Sequence, residues 1–170
     1  LLLLSNPHNP AGIVWPEETL RRLAAICDRR GVVVVSDEIH CDMALYGHRH
    51  RPFASVSDAA AHCSVTFGAP TKTFNIAGVV NSYAIRAAFT PEGDAWRRQM
   101  LRYVEANVDF TDDFLRRYVP RIRAIRPEAS FLVWLDCREL GLAHDALVDL
   151  FVARAGLALN DGEMFGPGGE

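Results

Sequence analysis

The chain opens on an unbroken aliphatic run, Leu1 to Leu4, closed by Ser5. Such a run suits a strand buried on both faces of a sheet. A loop rich in Asn, Pro and Gly follows, Asn6 to Gly12. The apolar period then changes. Leu20, Leu23, Ala24, Ile26 and Cys27 recur at helical spacing, Pro16 opens this helix with Glu17 and Glu18 in its first turn, and Gly31 ends it. Val32 to Ser36 is a second buried strand. Strand, helix and strand at this spacing predict a βαβ unit with parallel strands and a right-handed crossover. Asp37 to Ala61 reads as loop with short helix, Ser64 to Phe67 as a third strand, Gly68 to Gly78 as loop, and Val79 to Ile85 as a fourth strand.

The second half has a different rhythm. A long helical pattern runs from about Trp96 to Val119, with Met100, Leu101, Val104, Val108 and Leu115 inward, and Pro120 stops it. Phe131 to Asp136 alternates like a strand, His144 to Ala155 is helical, and Leu157 to Leu159 is a short strand. The order shifts from α/β to α+β. Thr90-Pro91-Glu92-Gly93 reads as a turn, so a domain boundary is placed near Phe89 to Gly93. Residues 1–89 then form part of a large domain and residues 94–170 part of a smaller one.

Composition narrows the function classes. Apolar residues are 49% and charged residues 23% of 170, enough for a packed core and against disorder. With 18 basic and 21 acidic residues the net charge is −3, which gives no electrostatic case for nucleic acid. The cluster Arg116, Arg117, Arg121, Arg123 and Arg126 follows acidic residues and reads as a solvated face. No apolar run approaches the ~18–20 residues of a membrane span, and no basic segment precedes one as in a signal peptide. Cys27, Cys41, Cys63 and Cys137 form no CxxC pair, so reduced thiols and a cytoplasmic location are expected. His40, Asp42, His48 and His50 match no common zinc spacing, and no metal site is expected. Both ends of the chain read as cut rather than finished.

In an open parallel sheet, ligands bind beyond the carboxyl ends of the strands. Three polar segments fall there: Asn6 to Gly12, Ser36 to His40, and Thr71-Lys72-Thr73. Each alone has an ordinary reading, as a turn, a helix cap or a solvated lysine. Together they put an amide, a carboxylate and an amine on one edge.

The set Asn9-Pro10-Ala11-Gly12, Asp37-Glu38-Ile39-His40 and Thr71-Lys72-Thr73-Phe74-Asn75-Ile76-Ala77-Gly78 resembles the fold-type I pyridoxal-phosphate enzymes, the class I/II aminotransferase superfamily. Ser36 to Asp42 and Lys72 to Ile76 are most similar to its cystathionine β-lyase (MalY/PatB) branch. The resemblance implies a three-layer α/β/α cofactor domain with a mostly parallel sheet, followed by a smaller α+β domain. It also implies pyridoxal 5′-phosphate as cofactor, a small amino-acid substrate and a homodimer. Lys72, the only lysine of the chain, matches the residue that links to the cofactor and moves protons at the substrate α-carbon. Asp37 matches the carboxylate that keeps the ring nitrogen protonated, as an electron sink requires. Asn9 matches the amide on the ring 3-oxygen. His40 stands where many aminotransferases carry a tyrosine facing that oxygen, or is structural. Ile39 packs under the ring, or is ordinary core. Thr71 offers a hydroxyl to the phosphate.

The implied activity is a C–S β-lyase on cystathionine or a related cysteine conjugate, giving a thiol, pyruvate and ammonia. An aminotransferase uses the same residues, and some transcription regulators carry this fold as an effector domain. An inactive fragment is the remaining reading. Three parts of the family pattern are missing: the amino-terminal portion, a stretch between Ile85 and Arg86, and the arginine beyond Glu170 that pairs with the substrate carboxylate. The chain therefore reads as part of a longer enzyme.

Overall fold

The computed structural model describes residues 1–76, 82–166, 168 and 169. β1 (Leu2–Ser5), α1 (Glu17–Arg29) and β2 (Val34–Asp37) form the expected βαβ unit. After two 3₁₀ turns, α2 (Asp58–Cys63) leads into β3 (Ser64–Phe67), and α3 (Thr71–Phe74) is a single turn. The three strands make one parallel sheet in the order β1-β2-β3. α4 (Ser82–Ala88) and α5 (Pro91–Tyr118) follow, then an antiparallel pair, β4 (Arg123–Ile125) and β5 (Trp134–Asp136), and α6 (His144–Asp149).

α1 ends as its sequence dictates. Gly31 takes φ +61° at C′, Val32 N–H donates to Cys27 C=O (2.8 Å) and Gly31 N–H to Asp28 C=O (3.1 Å), a Schellman closure. Leu20, Ala24 and Cys27 face the sheet and pack with Val34, Phe53, Val56 and Ala60 into the core. Ile26 does not join them and stays half exposed. At about 100° per residue it sits a third of a turn from Leu20, off the buried stripe.

The other sheet face departs from the expected two-sided burial of the first two strands. Leu3 (74% exposed), Val65 and Phe67 lie open on it, while the α1 side is closed. In parallel register Leu3, Val35 and Val65 form one row, and Ser5, Asp37 and Phe67 the next. The described residues thus supply the sheet and one helical layer over it.

The expected fourth strand is the main correction. Val79 to Asn81 lie outside the described residues, as do Ala77 and Gly78, but Ser82–Ala88 is helix. Ala84, Arg86, Ala87 and Ala88 are strong helix formers, which accounts for helix over Ser82–Ala88. α5 begins five residues earlier than its apolar pattern. Thr90 is its N-cap, accepting from Gly93 N–H at 3.1 Å, with Pro91 at N1. Gly93 is required there, because a Cβ would lie 2.2 Å from the Ala88 carbonyl oxygen. The expected strand at Phe131 to Asp136 shrinks to three residues, since β4 offers only three partners before Arg126 and Pro127. Leu157 to Leu159 pairs with no strand among the described residues, and the helix from His144 loosens into a π-type turn over Leu150–Arg154. No described helix is long and apolar enough to cross a membrane.

Candidate active site

The strands end level, with Ser5, Asp37 and Phe67 side by side. Asn6 N–H donates to Asp37 C=O (2.9 Å) and Glu38 N–H to Phe67 C=O (2.7 Å), so the ladder extends one residue beyond the strands. Three loops therefore leave one sheet edge, as the motif order predicts.

The first loop carries Asn9, whose side chain is exposed. Its N–H donates to Ser5 Oγ (3.2 Å), and its Oδ1 accepts from Ser130 Oγ (3.3 Å). That second contact comes from the far half of the chain. Glu128 N–H and Ala129 N–H both donate to Gly12 C=O (2.6 and 3.1 Å), and Glu128 Oε2 accepts from Val14 N–H (2.8 Å). Gly12 has φ +67°, and a Cβ there would meet Pro127 Cβ at 2.4 Å. Ser130 is buried at φ +74°, a backbone region that costs a non-glycine residue about 1–3 kcal/mol unless its surroundings impose it. The Pro127–Ser130 strap is thus pressed onto the Asn9 loop.

The second loop carries Asp37, exposed on the open sheet face, with Oδ1 accepting from Ile39 N–H at 3.2 Å. This local turn orients the carboxylate. Ile39 is half-buried. His40 is 5% exposed, its ring lies edge-on to Phe131, and its Nδ1 finds no hydrogen-bond partner among the described residues. The third loop carries Thr71 and Lys72 at the start of α3, half-buried and exposed respectively. Thr73 is buried, and its Oγ1 also lacks a partner among the described residues.

Electrostatics link these groups. Burial first, and then the Lys72 ammonium, hold the His40 imidazole below its ordinary value, while the Asp37 carboxylate pulls the other way. Lys72 and Asp37 thus both lie within electrostatic reach of the His40 imidazole, whose net shift favours its neutral form. Cys41 next door is no nucleophile at neutral pH: burial, with Asp42 and Glu38, pushes its thiol up to about 11. Orphaned polar atoms on His40 and Thr73, beside an amine and a carboxylate, suit a small polar ligand.

Motif reading assigned no role to Glu38, His50, Thr73 or Ser130. Glu38 sits in the quoted motif, but its role depends on His50, Ser36 and Phe53, which only the fold brings to it. Elsewhere, a cavity of about 460 Å³ lies among Ile125, Trp134, Leu147, Phe151 and Phe165. Its lining includes Pro10 but none of Lys72, Asp37 or His40, so the cavity and the titratable cluster are separate places. His144 stands between Asp161 (3.1 Å, on Nε2) and Glu163 (3.5 Å, on Nδ1). Only the Nε2 contact is a hydrogen bond; Nδ1 makes none among the described residues.

Residues 1–88 match the family model "Aminotransferase class I and II". The chain is 38% identical over 199 aligned positions to cystathionine beta-lyase PatB of Bacillus subtilis, covering 100% of this chain and 51% of that protein. That alignment is longer than the chain, so PatB carries residues within the span that this chain lacks. Protein MalY of Escherichia coli is 27% identical, with 99% and 50% covered. A pyridoxal-phosphate-bound aminotransferase structure from Clostridium difficile superposes with a TM-score of 0.86 at 35% identity, covering 98% of this chain and 51% of that one. Cystalysin from Treponema denticola, which contains pyridoxal 5′-phosphate, gives 0.86 at 30% identity, with 99% and 50% covered. The chain spans about half the length of the curated relatives it matches. With more than half of its length inside the family model, and with these neighbours sharing its parallel sheet, the chain belongs to the class I and II aminotransferase family of fold-type I α/β proteins.

Proposed function

We propose that the chain is part of a pyridoxal-phosphate-dependent C–S β-lyase acting on cystathionine or a related cysteine conjugate. The observation that carries the reading is the convergence of the Asn9, Asp37 and Lys72 loops at one sheet edge, with Lys72 and Asp37 both within electrostatic reach of His40, in a chain similar to relatives named cystathionine beta-lyase. The donor set fits the cofactor. Lys72 supplies the amine, Asp37 a carboxylate for the ring nitrogen, Asn9 and His40 polar atoms for the ring oxygen, Thr71 a hydroxyl for the phosphate, and Ile39 an apolar surface for the ring. Pyridoxal phosphate supplies an electron sink that makes the substrate α-proton acidic.

The residues do the rest. Lys72, as the free amine, would accept the α-proton and become the ammonium, and the Cβ–S bond would break with the electron pair leaving on sulfur as thiolate. The three-carbon remainder is hydrolysed to pyruvate and ammonia. His40, kept neutral, offers or accepts one hydrogen bond without placing a second positive charge beside Lys72. Residues 1–89 are read as part of the cofactor domain and 94–170 as part of the small domain, in a cytoplasmic homodimer.

The test is pyruvate formation from cystathionine with no keto-acid acceptor present. Release that disappears in Lys72→Ala supports the lyase. Turnover only with an acceptor favours the second reading, an aminotransferase, which the similarity to arginine–pyruvate transaminase AruH of Pseudomonas aeruginosa (26% identical) keeps in view.

A further inference from the structure

The cluster that the reaction leaves unused lies directly behind Asp37. Glu38 is 3% exposed and points to the closed side of the sheet, opposite Asp37. Its Oε1 accepts from Ser36 Oγ and from Phe53 N–H, both at 2.8 Å, and its Oε2 lies 2.8 Å from His50 Nε2. The His50 side chain is 9% exposed, and its Nδ1 finds no partner among the described residues. Burial alone raises the Glu38 pKa, but the hydrogen bonds from His50, Phe53 and Ser36 outweigh it, and the net shift is downward. A buried carboxylate that stays ionised is costly and persists only where its lone pairs are filled.

These contacts meet the segment 50–53, which is also gripped by the residue just after β1. Asn6 Nδ2 donates to Arg51 C=O (2.9 Å), and Phe53 is fully buried in the core. The Glu38 backbone is fixed at both ends. Its N–H completes the β3 ladder, and its C=O accepts from Cys41 N–H (3.0 Å), closing the turn that contains His40. Asp37 and His40 thus flank a residue held by five hydrogen-bonding contacts.

We propose that the Glu38–His50 pair is the positioning device of the cofactor site, locking the Asp37 carboxylate and the His40 imidazole in place from the face opposite the cofactor. The inference rests on the proposed function for its ligand but not for its geometry. Glu38 and His50 touch no reacting atom, so they are positioning residues.

Three variants test it: Glu38→Gln, His50→Leu, and His50→Gln, which keeps an N–H donor for Glu38. Amide hydrogen exchange is read without cofactor at Ile39, whose N–H donates to Asp37 Oδ1. Pyridoxal-phosphate affinity is read separately by absorbance titration. The proposal expects Glu38→Gln and His50→Leu to speed Ile39 exchange and weaken the cofactor by about tenfold each. The α1 amides keep their protection, and His50→Gln stays near wild type. Unchanged Ile39 exchange in Glu38→Gln overturns the proposal. So does equal acceleration throughout β1, α1 and β2, which marks a merely structural pair. A wild-type chain that takes up no pyridoxal phosphate refutes the proposed function instead, while Ile39 exchange still decides the clamp.

Discussion

Gly12 is where the two halves of the chain press together, and replacing it by alanine measures that contact. Its φ of +67° costs an alanine about 1–2 kcal/mol by itself. The new Cβ also lands 2.4 Å from Pro127 Cβ, 2.9 Å from Pro127 Cα and 3.0 Å from the Ala129 carbonyl oxygen. None of these is the free end of a flexible side chain, and Pro127 is fully buried. Overpacking of this kind adds about 1–3 kcal/mol. Gly31 is the matched control, with φ +61° and nothing within 4 Å of its Cβ position, so Gly31→Ala carries the backbone cost alone. Gly12→Ala is therefore expected to destabilise by about 2–5 kcal/mol against about 1–2 kcal/mol for Gly31→Ala. Urea denaturation followed by tryptophan fluorescence reads both. Trp15 reports locally, because its Nε1–H donates to the Ser5 carbonyl at the base of the same loop (2.9 Å). Equal midpoint shifts in the two variants would refute the pressed strap.

Other consequences are as direct. By NMR titration, Lys72→Met is expected to raise the His40 pKa and Asp37→Asn to lower it, from a wild-type value already below the ordinary imidazole; a His40 indifferent to both removes the electrostatic link. Glu38 has its pKa lowered by folding, so the stability it contributes is present above the unfolded carboxylate value and is lost as pH falls through the folded one. Glu38→Gln should flatten the acid limb of a stability–pH profile, and an unaltered limb contradicts this. Phe53→Ala removes a fully buried ring from the core and should cost about 3–5 kcal/mol in chemical denaturation, with a loss below 1 kcal/mol arguing against its central place.

The first half of the fold was legible because each signal was local. Aliphatic runs of four or five residues, a helical stripe on α1 and Gly31 at its end specify β1, α1 and β2 without long-range help. Asn9, Asp37 and Lys72 announced themselves through motif order, and the level strand ends bring their loops to one edge. What was not legible depends on contacts across the chain. Leu3 reads as core from its neighbours alone, yet no described residue covers it. Val79 to Ile85 carries both a β-branched run and helix formers, and the second signal takes Ser82–Ala88. His50 looked like a loop histidine because its partner, Glu38, lies twelve residues earlier. Ser130 meets Asn9 across 121 positions, which no local pattern reports.

The central claim is that Lys72 carries pyridoxal phosphate at this edge. The chain would be incubated with the cofactor, reduced with borohydride, digested and mapped by peptide mass spectrometry. The account predicts one modified peptide, the one containing Lys72, and reduced labelling in Asp37→Asn. An unlabelled Lys72 peptide, or label found only at the chain's amino terminus, would contradict it.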